Sequence, residues 1–433
     1  MTPPPAASFG LKFWRGLGHL GGPAARLWLK RRIRRGKEDP ARVGERFGEA
    51  SLPRPKGPLV WIHAASVGES LTGLILAEAL RERNPDLHVL ITTVTVTAAS
   101  MLESRAVPGV LHQYAPLDLP GGARRFLDHW RPDLGVWIES ELWPTLILDA
   151  AGRGIPLILA NARISARSAS RWRRFAPGAA ESLLGRFGAI LAQTPEVSAR
   201  FVGLGAPPRA VSTAGNLKSE AGPPPHDPAE LKKMRKALAG RPVWLAASTH
   251  AGEEIVMAQA HKRLAEATPD LTLILAPRHP ERGEAVAREV EAYGRRSQGD
   301  SPDQPGIYLA DTLGEMGLWM RLAPVAVMGG SFTLPGGGHN PMEPASLGTA
   351  VVTGPLTHNA EADYARLTAA GGAMQIASAE KLTFAVSLLL ADGAAEAKRM
   401  GAAAKEAAME SRGALAATLR AVESLAPEIL KEG

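Results

Sequence analysis

Residues 328–348 read MGGSFTLPGGGHNPMEPASLG, and the fold follows from how that stretch is built. It opens at the end of the apolar run 325–328, the pattern of a strand buried on both faces. Gly329 and Gly330 come next, and a second glycine run follows at Gly336, Gly337 and Gly338. Glycine at this density lets the backbone turn sharply and approach a ligand closely. Asn340 is a good N-cap, Pro341 suits the first helical position, and Glu343 stands three residues past the cap, so a helix is predicted to begin there. Strand, glycine loop and helix N-terminus together turn N–H groups toward an anion, and a phosphate suits such a site. Glu343, one turn in, can accept a hydrogen bond from a sugar hydroxyl. A capped helix after a tight loop explains the same residues without a ligand.

Outward from this stretch, short apolar runs alternate with helical patterns. Strands are predicted at 59–63, 88–93, 110–114, 134–138, 156–160, 189–192 and 211–213, with helices at 71–83, 121–129, 145–151, 178–187 and 195–202 between them. GPPPH at 222–226 reads as a linker. The pattern then restarts, with strands at 243–247, 271–275, 307–309, 325–328 and 351–353 and helices at 228–238, 252–265, 281–292 and 313–322. Ala-rich helices close the chain. Apolar strands separated by helices imply parallel sheets covered on both faces. The expected class is therefore α/β, two Rossmann-like doubly wound domains in tandem, with ligands beyond the carboxyl ends of the strands, in the cleft where the domains face each other. The expected divisions are a basic segment 1–40, a first domain 41–220 and a second domain 221–433.

A chain of 433 residues can build two cores of ordinary size. It has 45% apolar and 21% charged residues and no low-complexity block, so it is globular. The absence of cysteine excludes disulfides, thiolate catalysis and Cys-ligated zinc. A net charge of +7 suits a phosphorylated substrate, an anionic lipid or nucleic acid. Aromatics at 5%, with no basic run interleaved with stacking residues, argue against single-stranded nucleic acid. Much of the excess lies in residues 1–37, which contain no acid but carry Lys12, Arg15, Arg26, Lys30, Arg31 and Arg32 among Phe13, Trp14, Leu17, Leu27 and Trp28. No window there approaches the roughly 20 apolar residues of a spanning helix, and the segment is a poor signal peptide. It reads as an amphipathic segment lying on an anionic membrane surface, or as a solvated basic arm.

The residues able to carry chemistry cluster at predicted strand ends. Glu69, at a helix start, can act as a general base or stabilise the helix dipole. Glu139 and Glu141 face the same way on an extended segment, to assist an acceptor, to orient Glu69 or to charge a helix start. Arg163 and Arg167, with Ser165 and Ser168, suit phosphate or carboxylate recognition, or plain surface charge. Ser248 and Thr249 can cap the next helix and bind phosphate oxygens. His250 and Glu254 have i, i+4 spacing but no third ligand, so no metal is expected. Arg278, after Pro277, can grip a phosphate with two N–H groups or lie solvated in a loop. Leu313, Gly314 and Glu315 can read a base edge through their backbone; a capping box accounts for them equally.

Taken together, GERFG (44–48), HAASVGES (63–70), ESELWP (139–144), NARISARS (161–168), GNLK (215–218), STHAGEE (248–254), LAPRHPER (275–282) and GGGHNPMEPA (336–345) resemble the bacterial 3-deoxy-D-manno-octulosonic acid (Kdo) transferases of lipopolysaccharide assembly. The resemblance covers nearly the whole chain after residue 40. It implies a GT-B fold, with acceptor on the N-terminal half and CMP-Kdo on the C-terminal half. It implies Glu69 as general base, with Glu139 and Arg163 on the acceptor side. Pro277, Arg278, Leu313, Gly314, Glu315, Asn340, Pro341, Met342 and Glu343 match the CMP-binding segments, and Ser248, Thr249, Gly338 and His339 fall in the donor phosphate loop. It further implies inverting transfer to a lipid A precursor (lipid IVA), without metal or cofactor, at the cytoplasmic face of the bacterial inner membrane. One motif departs: where the family has Pro-Thr-Gly, this chain has Val96-Thr97-Ala98. Two other readings share parts of the pattern: a GT-B enzyme using another nucleotide sugar, and a non-catalytic basic protein that binds membranes or nucleic acid.

Overall fold

Each apolar run predicted as a strand is a strand in the computed structural model, which describes residues 8–140, 142–220, 223–410 and 413–430. The described residues divide into two units, 8–220 with 413–430, and 223–410. The first holds β1 (Leu59–His63), β2 (His88–Thr93), β3 (Val110–Tyr114), β4 (Leu134–Ile138), β5 (Leu157–Ala162), β6 (Ala189–Ala192) and β7 (Val211–Thr213). They form one parallel sheet of order β3-β2-β1-β4-β5-β6-β7. Along β1, Leu59 and Trp61 point into one core with Phe126, Trp137 and Leu159, while Val60 and Ile62 point into another with Leu74, Val136 and Ile158. Both faces are covered, which is why the strand is apolar without a break from Leu59 to Ile62 rather than alternating.

The second unit repeats the plan. Its strands are β8 (Val243–Thr249), β9 (Thr272–Pro277), β10 (Gly294–Arg295), β11 (Gly306–Leu309), β12 (Val325–Met328), β13 (Ala350–Thr353) and β14 (Ala373–Gln375). The order is β10-β11-β9-β8-β12-β13-β14, again parallel. Leu245 and Ala247 face one core, Trp244 and Ala246 the other. The edge strands β10 and β14, two and three residues long, escaped the sequence reading because so short a run carries no periodicity. Strand order reverses between β1 and β4 in the first sheet and between β8 and β12 in the second, so each sheet has a crevice at its carboxyl edge there.

Two expectations change. The C-terminal helices were assigned to the second domain, but the helix Ala414–Leu425 returns to the first sheet, burying Leu419 and Val422 against the Val60/Ile62 face. Ile429 follows them, and Asn84 Nδ2 donates to its carbonyl at 2.8 Å. An amphipathic stripe declares that a helix needs a partner; it does not declare which sheet supplies one. The N-terminal segment was expected as a unit of its own. It forms helices Phe9–Leu20 and Gly22–Ile33 that dock on the first unit: Leu11 and Leu29 are buried, Trp14 Nε1 donates to Asp118 at 3.1 Å, and Arg15 pairs with Asp149 at 2.7 Å. Phe9, Phe13, Leu17, Leu27 and Trp28 stay exposed. No described helix is long and apolar enough to cross a membrane.

Candidate active site

At the end of β1 the chain turns through 64–66 into the helix Val67–Arg83, whose first turn is built by Ser66 and Glu69. Glu69 N donates to Ser66 Oγ at 3.4 Å, Ser66 Oγ donates to Glu69 Oε1 at 2.7 Å, and Ala65 N donates to Oε2 at 2.8 Å. This is a capping box, so the carboxylate does stabilise the helix start. The same bonds hold Glu69 at the mouth of the sheet. The residues 96–98 that depart from the family motif open the next helix, Val96–Arg105, capped by Thr95 Oγ1 on Ala98 N at 3.2 Å.

Across the reversal, β4 delivers Glu139 in the left-handed backbone region, φ 63°. Its carboxylate takes Lys218 Nζ at 2.7 Å and Arg163 at 3.8 Å. A Cβ added to Gly68 would stand 3.8 Å from Lys218 Nζ, so that ammonium adjoins the turn carrying Glu69. Lys218 comes from beyond β7. Asn161, at the end of β5 with φ 52°, accepts from Leu217 N at 3.0 Å and pins the Leu217–Glu220 turn over the strand ends. The sequence does not single out Lys218 within GNLK as a partner of Glu139; a lysine after the last strand of a sheet is the available signal. Ser165 spends its hydroxyl capping the helix Ala166–Phe175 through Ser168 N at 3.1 Å, and Arg167 is exposed. Glu141 lies outside the described residues.

His63, the last residue of β1, is fully buried; its Nδ1 meets Thr92 Oγ1 at 3.0 Å and its ring packs edge-on to Trp143. Burial pushes its pKa down to about 3, so it stays neutral at any physiological pH.

The second sheet builds its edge differently. The strand–glycine loop at 328–330 was read as a phosphate cradle open to a ligand. In the structure its N–H groups are taken: Gly330 N donates to Glu253 Oε2 at 2.7 Å, and Ser331 N and Phe332 N donate to Oε1 at 3.0 and 2.9 Å. The predicted helix does begin past Asn340, as the single turn Met342–Ser346. Ser248 and Thr249 do not cap the helix Glu253–Ala267, whose N-cap is Gly252. Ser248 turns instead with φ 58°, and Thr249 is buried. His250 and Glu254 diverge: Glu254 pairs with Arg282 at 2.8 Å, while His250 Nε2 meets His339 Nε2 at 2.9 Å with the rings parallel.

Around that histidine pair gather Arg278, Asn340 and Glu343 of the predicted donor residues. Arg278 is exposed at the end of β9, and its charge acts on both His339 and Glu343. Burial first, then Arg278, push the His339 pKa down to about 4. Burial raises the Glu343 carboxyl, against a hydrogen bond from Asn340 Nδ2 at 3.4 Å and the charge of Arg278. Asn340 Oδ1 accepts from Met342 N at 3.0 Å, while Pro341 and Met342 are buried beneath. Gly337 N and Gly338 N donate to Gly330 O at 2.6 and 2.7 Å, folding the glycine run back on the strand end. A cavity of about 310 Å³ opens beside His250, Thr333, Gly338, His339 and Asn359. Leu313 is exposed beyond β11, next to Gly314 with φ 82°. Glu315 is engaged by Arg296 and Thr312, and the Arg296 hydrogen bond holds its carboxyl below the usual range. A larger cavity, about 1510 Å³, lies at the opposite ends of β8, β9, β12 and β13, beside Val243, Leu271, Pro324 and Thr349, and contains none of these groups.

Comparison with known proteins agrees with the motifs. A family model described as 3-deoxy-D-manno-octulosonic-acid transferase (kdotransferase) matches residues 41–221. A probable mitochondrial 3-deoxy-D-manno-octulosonic acid transferase of Arabidopsis thaliana is 39% identical over 357 residues, covering 80% of each chain. The 3-deoxy-D-manno-octulosonic acid transferase of Haemophilus influenzae is 36% identical over 384 residues, covering 86% of this chain and 89% of that one. Among solved structures, a putative UDP-N-acetylglucosamine 2-epimerase from Listeria monocytogenes matches with a TM-score of 0.56 at 16% identity, covering 87% of this chain and 98% of that one. That likeness concerns the GT-B-like pair of parallel sheets alone.

Proposed function

The chain belongs to the 3-deoxy-D-manno-octulosonic acid (Kdo) transferase family, a family of glycosyltransferases, and on that premise we propose that it moves Kdo from CMP-Kdo to a glucosamine hydroxyl of a lipid A precursor, lipid IVA, with inversion. The observation that carries the reading is the contrast between two crevices. One presents the fixed carboxylate of Glu69 next to a lysine; the other gathers the exposed Arg278 with His339 and Glu343.

Glu69 takes the proton from the acceptor hydroxyl. That oxygen forms the new bond to the anomeric carbon of Kdo on the face opposite CMP, the bond from that carbon to the phosphate oxygen breaks, and CMP leaves as an anion. A positioned base supplies about 10²–10⁴-fold of such a rate. The departing charge is met by Arg278, whose planar guanidinium offers paired donors to a phosphate. Glu343, ionised, accepts from a sugar hydroxyl of the donor. Lys218, paired with Glu139, lends positive charge beside the reacting oxygen. This chemistry calls for no metal or cofactor, and chelators are expected to leave the rate unchanged.

The N-terminal helices present Phe9, Phe13, Leu17 and Trp28 among lysines and arginines, a face suited to the anionic cytoplasmic surface of a bacterial inner membrane, where the lipid acceptor lies. Removing residues 2–37 is expected to abolish co-sedimentation with anionic liposomes; unchanged sedimentation rejects the membrane role. The whole reading is tested by mass spectrometry of products from CMP-Kdo and a tetraacylated lipid A precursor, with UDP-sugars in parallel. Absence of a Kdo-bearing lipid, or transfer from a UDP-sugar instead, overturns it.

A further inference from the structure

Glu253 is fully buried at the start of the helix Glu253–Ala267. Its carboxylate accepts from the backbone N–H groups of Gly330, Ser331 and Phe332, at the end of β12, and from His250 N at 2.9 Å, at the end of β8. Successive N–H groups converging on one carboxylate form a nest, and these donors satisfy the oxygens of a side chain that is shut off from water. The nest depends on its glycines: a Cβ on Gly329 would stand 2.4 Å from Ser248 O, and Gly330 has φ 65°. Two effects follow from where the carboxylate lies. It ties together the strands that flank the reversal of order, β8 and β12. It also orients Gly330, whose carbonyl holds Gly337 and Gly338 and so carries the loop round to His339 and Asn340.

We propose that Glu253 is a positioning residue for the donor: a built-in anion that fills the cradle a phosphate would otherwise enter, and so fixes the His250–His339 pair and the Asn340–Glu343 segment where Arg278 meets the donor phosphate. Its effect on the donor rests on the CMP-Kdo assignment above; the filled cradle does not.

The test uses the full chain with Glu253→Ala and Glu253→Asp. The Ala variant is expected to raise the donor KM about tenfold or more while the acceptor KM holds, the scale of losing charge-assisted hydrogen bonds. Formate, a carboxylate small enough for the vacated nest, is expected to recover much of that KM and to raise the Tm of the Ala variant but not of the wild type. The Asp variant, which keeps the charge on a shorter stem, should fall between. Should the Ala variant fail to fold, Glu253→Gln keeps the volume, removes the charge and is read by donor KM. A folded Ala or Gln variant with wild-type donor KM overturns the proposal, as does formate that moves neither KM nor Tm. The Tm measurement needs no substrate, so a wild type that ignores CMP-Kdo sinks the donor assignment while formate still decides the cradle.

Discussion

The two sheets share a topology and treat charge at their carboxyl edges in opposite ways. Beside the reversal in the first, carboxylates stand just past the strand ends on side-chain partners: Glu69, itself buried, is held by a serine and a backbone N–H, and Glu139 by Lys218 and Arg163. Beside the reversal in the second, the carboxylate Glu253 turns inward and consumes N–H groups, leaving the exposed Arg278 and the histidine pair at the rim. Topology determines where a crevice opens. The residues just past each strand determine whether it offers a base or a cation.

The contrast breaks most sharply at Glu69. Glu69→Gln keeps the shape of the capping box and removes the basic oxygen, so kcat is expected to fall about 10²–10⁴-fold with CMP-Kdo affinity intact. Steady-state kinetics with calorimetry checks this, and full turnover removes the base assignment. Next in size is Arg278→Ala, expected to raise the donor KM roughly 10–100-fold, the scale of a charge-assisted bond to phosphate, with Arg278→Lys recovering only part. Unchanged donor kinetics would take Arg278 out of the site. Lys218→Ala should lower kcat about tenfold, and less when Glu139 is already Gln, because the two charges are paired. Additive losses in that double-mutant cycle would show them acting separately.

The smallest effect concerns pH and tells the sheets apart by stability. His63 and His339 both have pKa values pushed below the usual 6.5 by burial, to about 3 and about 4. The unfolded chain therefore binds protons first on acidification. Their contribution to stability is complete above pH 6.5 and is lost as pH falls from there through each folded value. Thermal melts from pH 7 to 4 should show Tm declining, with His63→Gln flattening part of the slope; an equal slope in that variant would assign the decline to other groups.

Much of this was legible in local pattern. Runs such as 59–63 and 325–328 had to be strands, and the positions just past them, from Glu69 to Arg278, had to lie at a sheet edge. The partners were not legible. Lys218 reaches Glu139 because Asn161 adopts a left-handed turn and captures the segment after the last strand of its sheet. The cradle at Gly330 looked vacant because nothing near it in sequence revealed that Glu253 fills it.

The chain by itself thus determined its parallel α/β class and the strand ends where chemistry could reside, because apolar periodicity and turn chemistry act over a few residues. Only the tertiary structure decided that the helix Ala414–Leu425 belongs to the first sheet, that the N-terminal helices dock by Leu11 and Leu29, and that Glu253 occupies the nest. Those outcomes turn on which distant group lies within hydrogen-bond or packing reach, and the spacing of residues along a chain carries no record of that distance.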